Sequence, residues 1–271
     1  MPAILRSALF VPATRPDRYA KAMAAGADAV IIDLEDAVEH ENKDAARQHL
    51  SDYARQHPEA AFFVRVNDTR TPWFANDLSM CADLPSLRGV LLPKAESADE
   101  VKQVAGCGIA VLPIIESAKG VLALAELAGT SGVDRLSFGS LDLMLDVGTV
   151  PDTDGADLLL NHIRCQVLLH SQAHGLNPPL DGVYPAFSDN SGLERIARQV
   201  RNMGFGGMLC IHPLQIGTIH AAFAPTAAEV DWAQRVLAIA ESTGSAAFQM
   251  DGKMVDAPVI ERARQIRATA A

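Results

Sequence analysis

The stretch Ala29-Val-Ile-Ile-Asp-Leu34, followed at once by Glu35-Asp36, decides how the rest of the chain is read. Its apolar residues are continuous and not alternating, so the strand it predicts is buried on both faces and belongs to a parallel sheet. Seven more runs of this kind stand on either side: Ser7 to Val11, Phe62 to Val66, Val90 to Pro93, Val111 to Ile115, Arg135 to Phe138, Leu180 to Tyr184 and Met208 to Ile211. Between them lie segments rich in Ala, Leu, Glu and Arg. Asp44 to Gln56, Asp99 to Ala105 and Leu158 to Ala173 are predicted helices. Eight strand–helix units predict an α/β fold, a closed TIM (β/α)8 barrel, and 271 residues accommodate one such barrel with an appendage. The alternative, an open doubly wound sheet, binds its ligand at a glycine-rich first turn, and no GxGxxG stands in this chain.

The pattern changes after Ala224. Thr226-Ala-Ala-Glu229 is a capping box, with Val230, Ala233, Leu237 and Ala240 at helical spacing behind it. Ala246 to Met250 and Lys253 to Asp256 flank Asp251-Gly252, the preferred two-residue hairpin turn, and Asp256-Ala-Pro258 opens a last basic helix. The expected organisation is a catalytic barrel over 1–224 and a helix–hairpin–helix lid over 225–271.

Composition narrows the function. Hydrophobic residues at 49% and charged residues at 21% exclude a disordered or fibrous chain. With 23 Lys and Arg against 33 Asp and Glu, the net charge of −10 has the wrong sign for nucleic-acid binding. No run of about 18 apolar residues marks a membrane span, and the short apolar stretch near the start, broken by Pro12, does not read as a signal peptide. Cys81, Cys107, Cys165 and Cys210 are widely spaced, which fits buried or free thiols in a reducing cytoplasm.

In a barrel, chemistry collects at the C-terminal ends of the strands. There the chain places Asp33, Glu35 and Asp36, then Arg65, Lys94, Glu116, Asp142 and His212. Glu116 and Asp142 follow adjacent strands, and two convergent carboxylates without a histidine pair suit a hard cation such as Mg²⁺, completed by water and substrate oxygens. The alternative is that Glu116 caps the next helix and Asp142 satisfies a loop amide. Arg65 either pairs with Asp33, Glu35 and Asp36, which then serve as supporting residues, or forks onto a substrate oxyanion. Arg6, Arg15, Arg18 and Lys21 form the basic concentration expected near the mouth, either a solvated face or a phosphate patch. His212 reads as a base or as a hydrogen-bonded structural residue.

These segments in order resemble the citrate lyase beta-subunit-like and malyl-CoA or citramalyl-CoA lyases, Mg²⁺-dependent TIM barrels. The likeness lies in Leu9-Phe-Val-Pro12, the run from Ala27 to Val38, Val64-Arg-Val-Asn67, Leu91-Leu-Pro-Lys94, Pro113-Ile-Ile-Glu-Ser-Ala-Lys-Gly120, Phe138-Gly-Ser-Leu-Asp-Leu143, Asp181-Gly-Val-Tyr184 and Ile211-His-Pro-Leu-Gln-Ile216. The resemblance implies that Glu116 and Asp142 hold the metal and that Arg65 binds substrate oxygens. It also implies a coenzyme A entrance at Phe10 and Lys21, with Arg15, Ile211 and His212 on the substrate side. Gly252-Lys-Met-Val-Asp-Ala-Pro258 matches the lid motif of the stand-alone lyases, giving Asp256 the role of an acid reaching a neighbouring subunit in a homotrimer; the local alternative is a plain helix cap. Two departures concern the coenzyme: Met208 stands where a lysine is usual, and Ala13 where a glycine is usual. The expected activity is carbon–carbon cleavage of a 3-hydroxy-3-carboxy acyl-CoA thioester. Thioester hydrolysis, a CoA-independent pyruvate-type aldolase and a non-catalytic carrier-associated barrel are the alternatives.

Overall fold

In the computed structural model, residues 5–270 are described; Met1 to Ile4 and Ala271 lie outside them. Eight parallel strands close into a barrel in sequence order. They are β1 (Ser7–Pro12), β2 (Ala29–Asp33), β3 (Phe62–Arg65), β4 (Leu87–Leu92), β5 (Val111–Ile115), β6 (Ser137–Phe138), β7 (Leu180–Asp181) and β8 (Gly207–Cys210). Every residue of β2, β5 and β8 is buried, as strands covered on both faces must be. Ala8, Ile31, Phe63, Leu91, Ile114, Leu180 and Leu209 fill the interior, so the barrel is a packed core.

Two strands are shorter than the sequence predicts. The run Leu180 to Tyr184 pairs only through Asp181, because Tyr184 turns away: its hydroxyl donates to Asp189 at 2.7 Å and its carbonyl accepts from the Gln215 side chain at 2.8 Å. In the run Arg135 to Phe138, only the last two residues form the ladder. A buried ion pair lies beneath this thin part of the sheet. Arg164, from the helix Asp154–Ala173, places Nε and Nη2 at 2.9 and 3.1 Å from the Asp181 carboxylate.

The chain divides into two compact units, Met1–Ala222 and Phe223–Ala271. In the second, the helix Ala227–Thr243 carries both bonds of the capping box and ends at Gly244, in the left-handed region. Its hairpin pairs β9 (Phe248–Met250) with β10 (Lys253–Val255). Asp251 and Gly252 have φ of 50° and 74°, the two positive values that a twist-matched hairpin turn requires. The helix Ala257–Ala270 follows, and Val236, Leu237, Met250, Val255 and Ile260 form this unit's own core.

Candidate active site

The C-terminal ends of the strands surround a cavity of about 430 Å³. Phe10, Asp33, Asp36, Arg65, Glu116, Asp142 and Ile211 line it, together with Gly139 and Ser140. Arg15, Lys21, Glu35 and His212 are not in its wall.

Register explains the first cluster. Asp33 and Arg65 are cross-strand neighbours on β2 and β3. Arg65 donates Nε and Nη2 to the two Asp33 oxygens at 2.7 and 2.6 Å, the two-pronged geometry that only a guanidinium makes. Its Nη1 lies 2.9 Å from Glu35 and 3.5 Å from Asp36, and its plane covers the Phe10 ring at 4.8 Å. Burial opposes the charge on Arg65, but the three acids outweigh it and hold the guanidinium above its ordinary pKa. Asp33 also accepts from the backbone N–H groups of Glu35 and Ala37, so its lone pairs are in use.

Lys94 joins this cluster to the next. It is one of three residues other than glycine at positive φ among the described residues, at 48°. In that conformation its backbone N–H donates to Glu116 Oε1 at 2.7 Å while its Nζ reaches Glu35 Oε1 at 2.6 Å. Glu35 is pushed up to about 7 by burial, against the pull of Arg65 and Lys94. Below it, the buried Lys43 donates to the carbonyls of Leu34 and Glu35, both at 2.7 Å, and fixes the backbone that carries these acids.

Glu116 follows β5, with 5% of its surface exposed. Burial pushes its carboxyl up to about 8, and the nearby negative charges of Glu35 and Asp142 push the same way. Ser117, not Glu116, caps the next helix, accepting from Gly120 N–H. Glu116 leans against Gly139, just past the next strand: a Cβ there would stand 2.5 Å from Oε2. Asp142, half-buried on the helix Ser140–Asp146, faces the same space, and its carboxylate accepts no hydrogen bond among the described residues. Glu116 and Asp142 are thus two neighbouring acids that form no ion pair among the described residues. Among the described residues no three His, Cys, Asp or Glu side chains form a metal cage. Two carboxylates open to water and substrate oxygens are the donor set of a hard, six-coordinate divalent cation.

The remaining candidates are dispersed. Arg6 precedes β1 and lies at the opposite end of the barrel, paired with Asp28 at 3.1 Å; the expectation of a four-residue basic patch at the mouth is corrected by this position. Arg15 forks onto Asp17, and Lys21 is exposed on the short helix Tyr19–Met23. His212 accepts from Leu214 N–H through Nδ1 at 3.2 Å and stacks on Phe187, an arrangement of the structural kind. Asp256 lies in the second unit at the start of its last helix, where its carbonyl accepts from Ile260 N–H.

Residues 6–213 match the HpcH/HpaI aldolase/citrate lyase family. The chain belongs to this family. It is similar to the citrate lyase subunit beta-like protein of Deinococcus radiodurans, with 38% identity covering 98% of this chain and 97% of that one. The (3S)-malyl-CoA thioesterase of Cereibacter sphaeroides is 36% identical, over 98% of this chain and 94% of its own length. Among solved structures, CitE from Mycobacterium tuberculosis in complex with magnesium, acetoacetate and coenzyme A superimposes with a TM-score of 0.88 at 36% identity, covering 100% of this chain and 99% of that one. The family thus accounts for the barrel and for its ordered segments from β1 to β8. Sequence reading missed the tie from Lys94 to both Glu35 and Glu116, and the support from Lys43. A lysine directly after a buried strand was the only available signal.

Proposed function

We propose that this protein is a Mg²⁺-dependent lyase that cleaves a 3-hydroxy-3-carboxy acyl-CoA thioester of the malyl, citramalyl or citryl type to acetyl-CoA and a 2-oxo acid. The observation that carries this reading is the pair of acids Glu116 and Asp142, neither in an ion pair, in the wall of a cavity whose only lining cation among the described residues is Arg65. A scaffold has no use for two such acids, because a buried carboxylate without a partner destabilises the fold. The magnesium, acetoacetate and coenzyme A bound by the Mycobacterium tuberculosis relative support the choice of metal and substrate class.

Glu116 and Asp142 would hold the metal, which when bound acts as a Lewis acid toward the substrate's hydroxyl and carboxylate. The substrate's hydroxyl proton passes to solvent water, the C–O bond becomes the carbonyl of the 2-oxo acid, the bond between that carbon and the carbon next to the thioester breaks, and the electron pair remains as the thioester enolate. Arg65 serves here as an electrostatic stabiliser, with Asp33, Glu35 and Asp36 fixing the plane of its guanidinium. Asp256 serves as the acid that delivers a proton to the enolate carbon. In this reading residues 1–224 are the catalytic barrel and 225–271 a lid whose Asp256 serves the site of a neighbouring subunit in a homotrimer. Exposed apolar residues on the segments after β5 and β6, among them Leu122, Leu145 and Val150, support self-association. Phe10 and Lys21 are assigned to the coenzyme A entrance, and Arg15, Ile211 and His212 to substrate binding. A cytoplasmic location is supported by four free cysteines; among the described residues no helix is long and apolar enough to cross a membrane.

The test is a panel of malyl-, citramalyl- and citryl-CoA with Mg²⁺, following products. Acetyl-CoA with a 2-oxo acid is expected, and EDTA should stop its release. Free CoA with malate would instead make the protein a thioesterase, the reading favoured by the likeness to the Cereibacter sphaeroides enzyme. Activity indifferent to EDTA would remove the metal from the scheme.

A further inference from the structure

We propose that Asp146 is a positioning residue that sets the spacing between Asp142 and Glu116, an inference that rests on reading those two as cation ligands. Asp142 and Asp146 are four residues apart on the helix Ser140–Asp146 and so project from the same side of it. Asp146 Oδ2 accepts from the backbone N–H of Ala118 at 2.7 Å. Ala118 stands two residues past Glu116 and opens the helix Ala118–Leu122.

Three consecutive residues after β5 are therefore held from three directions. Glu116 is held by the Lys94 amide at 2.7 Å. Ser117 donates its hydroxyl to Glu96 at 2.9 Å, and Ala118 is held by Asp146. The first two ties run back to the loop after β4. The third runs to the helix that carries Asp142, and among the described residues no other side chain of that helix hydrogen-bonds to this segment. The tie links Glu116 to Asp142 through Ala118 and Asp146, and a cation shared by the two acids would close the ring.

The link matters because little else fixes this helix. It has seven residues, only Leu143 of which is buried, while Leu141 and Leu145 are exposed. A helix this short has little stability of its own. Asp142 and Glu116 would repel if both were ionised, so nothing in the pair itself holds them together before a cation arrives. An ordinary exposed carboxylate contributes little to a fold, but Asp146 holds two ligands at their working distance before the ion arrives.

The experiment uses the full chain and Mn²⁺ alone as the probe, with free Mn²⁺ counted by electron paramagnetic resonance so that no turnover is needed. The wild type binds Mn²⁺ and Glu116→Gln does not. Asp146→Ala is expected to weaken binding about 10-fold or more, as loss of a residue that orients a ligand typically does. Asp146→Asn keeps an oxygen acceptor and should stay within about threefold of wild type. Ala118→Pro removes the donor from the other side. Proline is accepted at the first helical position, and Ser117 already has the extended backbone (φ −141°, ψ 157°) that a following proline demands. Ala118→Pro should weaken binding like Asp146→Ala, and the double variant should be no weaker than either alone. Wild-type affinity in Asp146→Ala, or additive losses in the double variant, would overturn the proposal. A wild type that binds no Mn²⁺, or a Glu116→Gln variant that binds it equally, would overturn both this inference and the metal reading beneath it.

Discussion

Two groups of acids share the mouth of this barrel, and they are treated in opposite ways. Asp33, Glu35 and Asp36 meet Arg65 and Lys94 through contacts of 2.6 to 3.9 Å, so each of the three acids has a cationic partner within the chain. Glu116 and Asp142, joined to them only through Lys94, meet no cation of their own. The first group therefore stabilises the molecule, and the second costs it stability. The difference separates what holds the site from what acts in it: a carboxylate that a fold keeps buried without a paired cation is kept for something that comes from outside.

The sharpest way to break this comparison is Glu116→Gln. Turnover should fall at least about 1000-fold, because the variant loses a ligand. Melting by calorimetry should stay unchanged or move upward, since the amide has no charged form for burial to oppose. A lower Tm would show that Glu116 belongs with the matched acids. Next in size is Asp33→Asn, expected to destabilise by about 3 kcal/mol in a denaturant titration, because Arg65 is left partly unpaired in a buried position. An unchanged midpoint would deny that the first group is structural.

A smaller loss, about 100-fold in kcat/KM, is expected for Arg65→Lys, since an ammonium cannot keep both the fork onto Asp33 and a contact to substrate. Loss in kcat alone would place the missing contact in the transition state, and loss in KM alone would place it on the bound substrate. The smallest effect lies at the other end of the barrel. Burial raises the Asp28 pKa, but three bonds from Arg6 outweigh it and the group ends below its ordinary value. Its contribution to stability is then fully present above the unfolded aspartate pKa of about 3.9 and is lost as pH falls through the lower folded value. The wild type should be more stable than Asp28→Asn at neutral pH, and this advantage should shrink below about pH 4. A difference independent of pH would mean that Asp28 acts through packing.

The barrel was legible because β1 to β5 announce themselves as unbroken apolar runs, and the hairpin because Asp251-Gly252 admits few other conformations. The ends of β6 and β7 were not legible: Tyr184 has the composition of a strand residue, and its departure depends on Asp189 and Gln215 elsewhere in the chain. Positions near the mouth followed from one rule, that residues after a strand face the working end. The same rule, applied to Arg6, would have put it at the far end, since it precedes Ser7. Pairings were beyond reach. Nothing local to Lys94, Lys43, Arg164 or Asp146 says which carbonyl, amide or carboxylate it meets, because those contacts join residues 8 to 59 positions apart.

The backbone of Lys94 has a consequence for anyone seeking a hardier version of this protein. At φ 48° a lysine occupies ground that glycine holds with less strain, so a search guided by thermal tolerance would be drawn to Lys94→Gly. That exchange keeps the amide that grips Glu116 and discards the ammonium that neutralises Glu35. Backbone ease and charge balance thus pull on one residue in opposite directions. The persistence of lysine there marks a compromise in which part of the fold's resilience has been traded for the charge balance at its mouth.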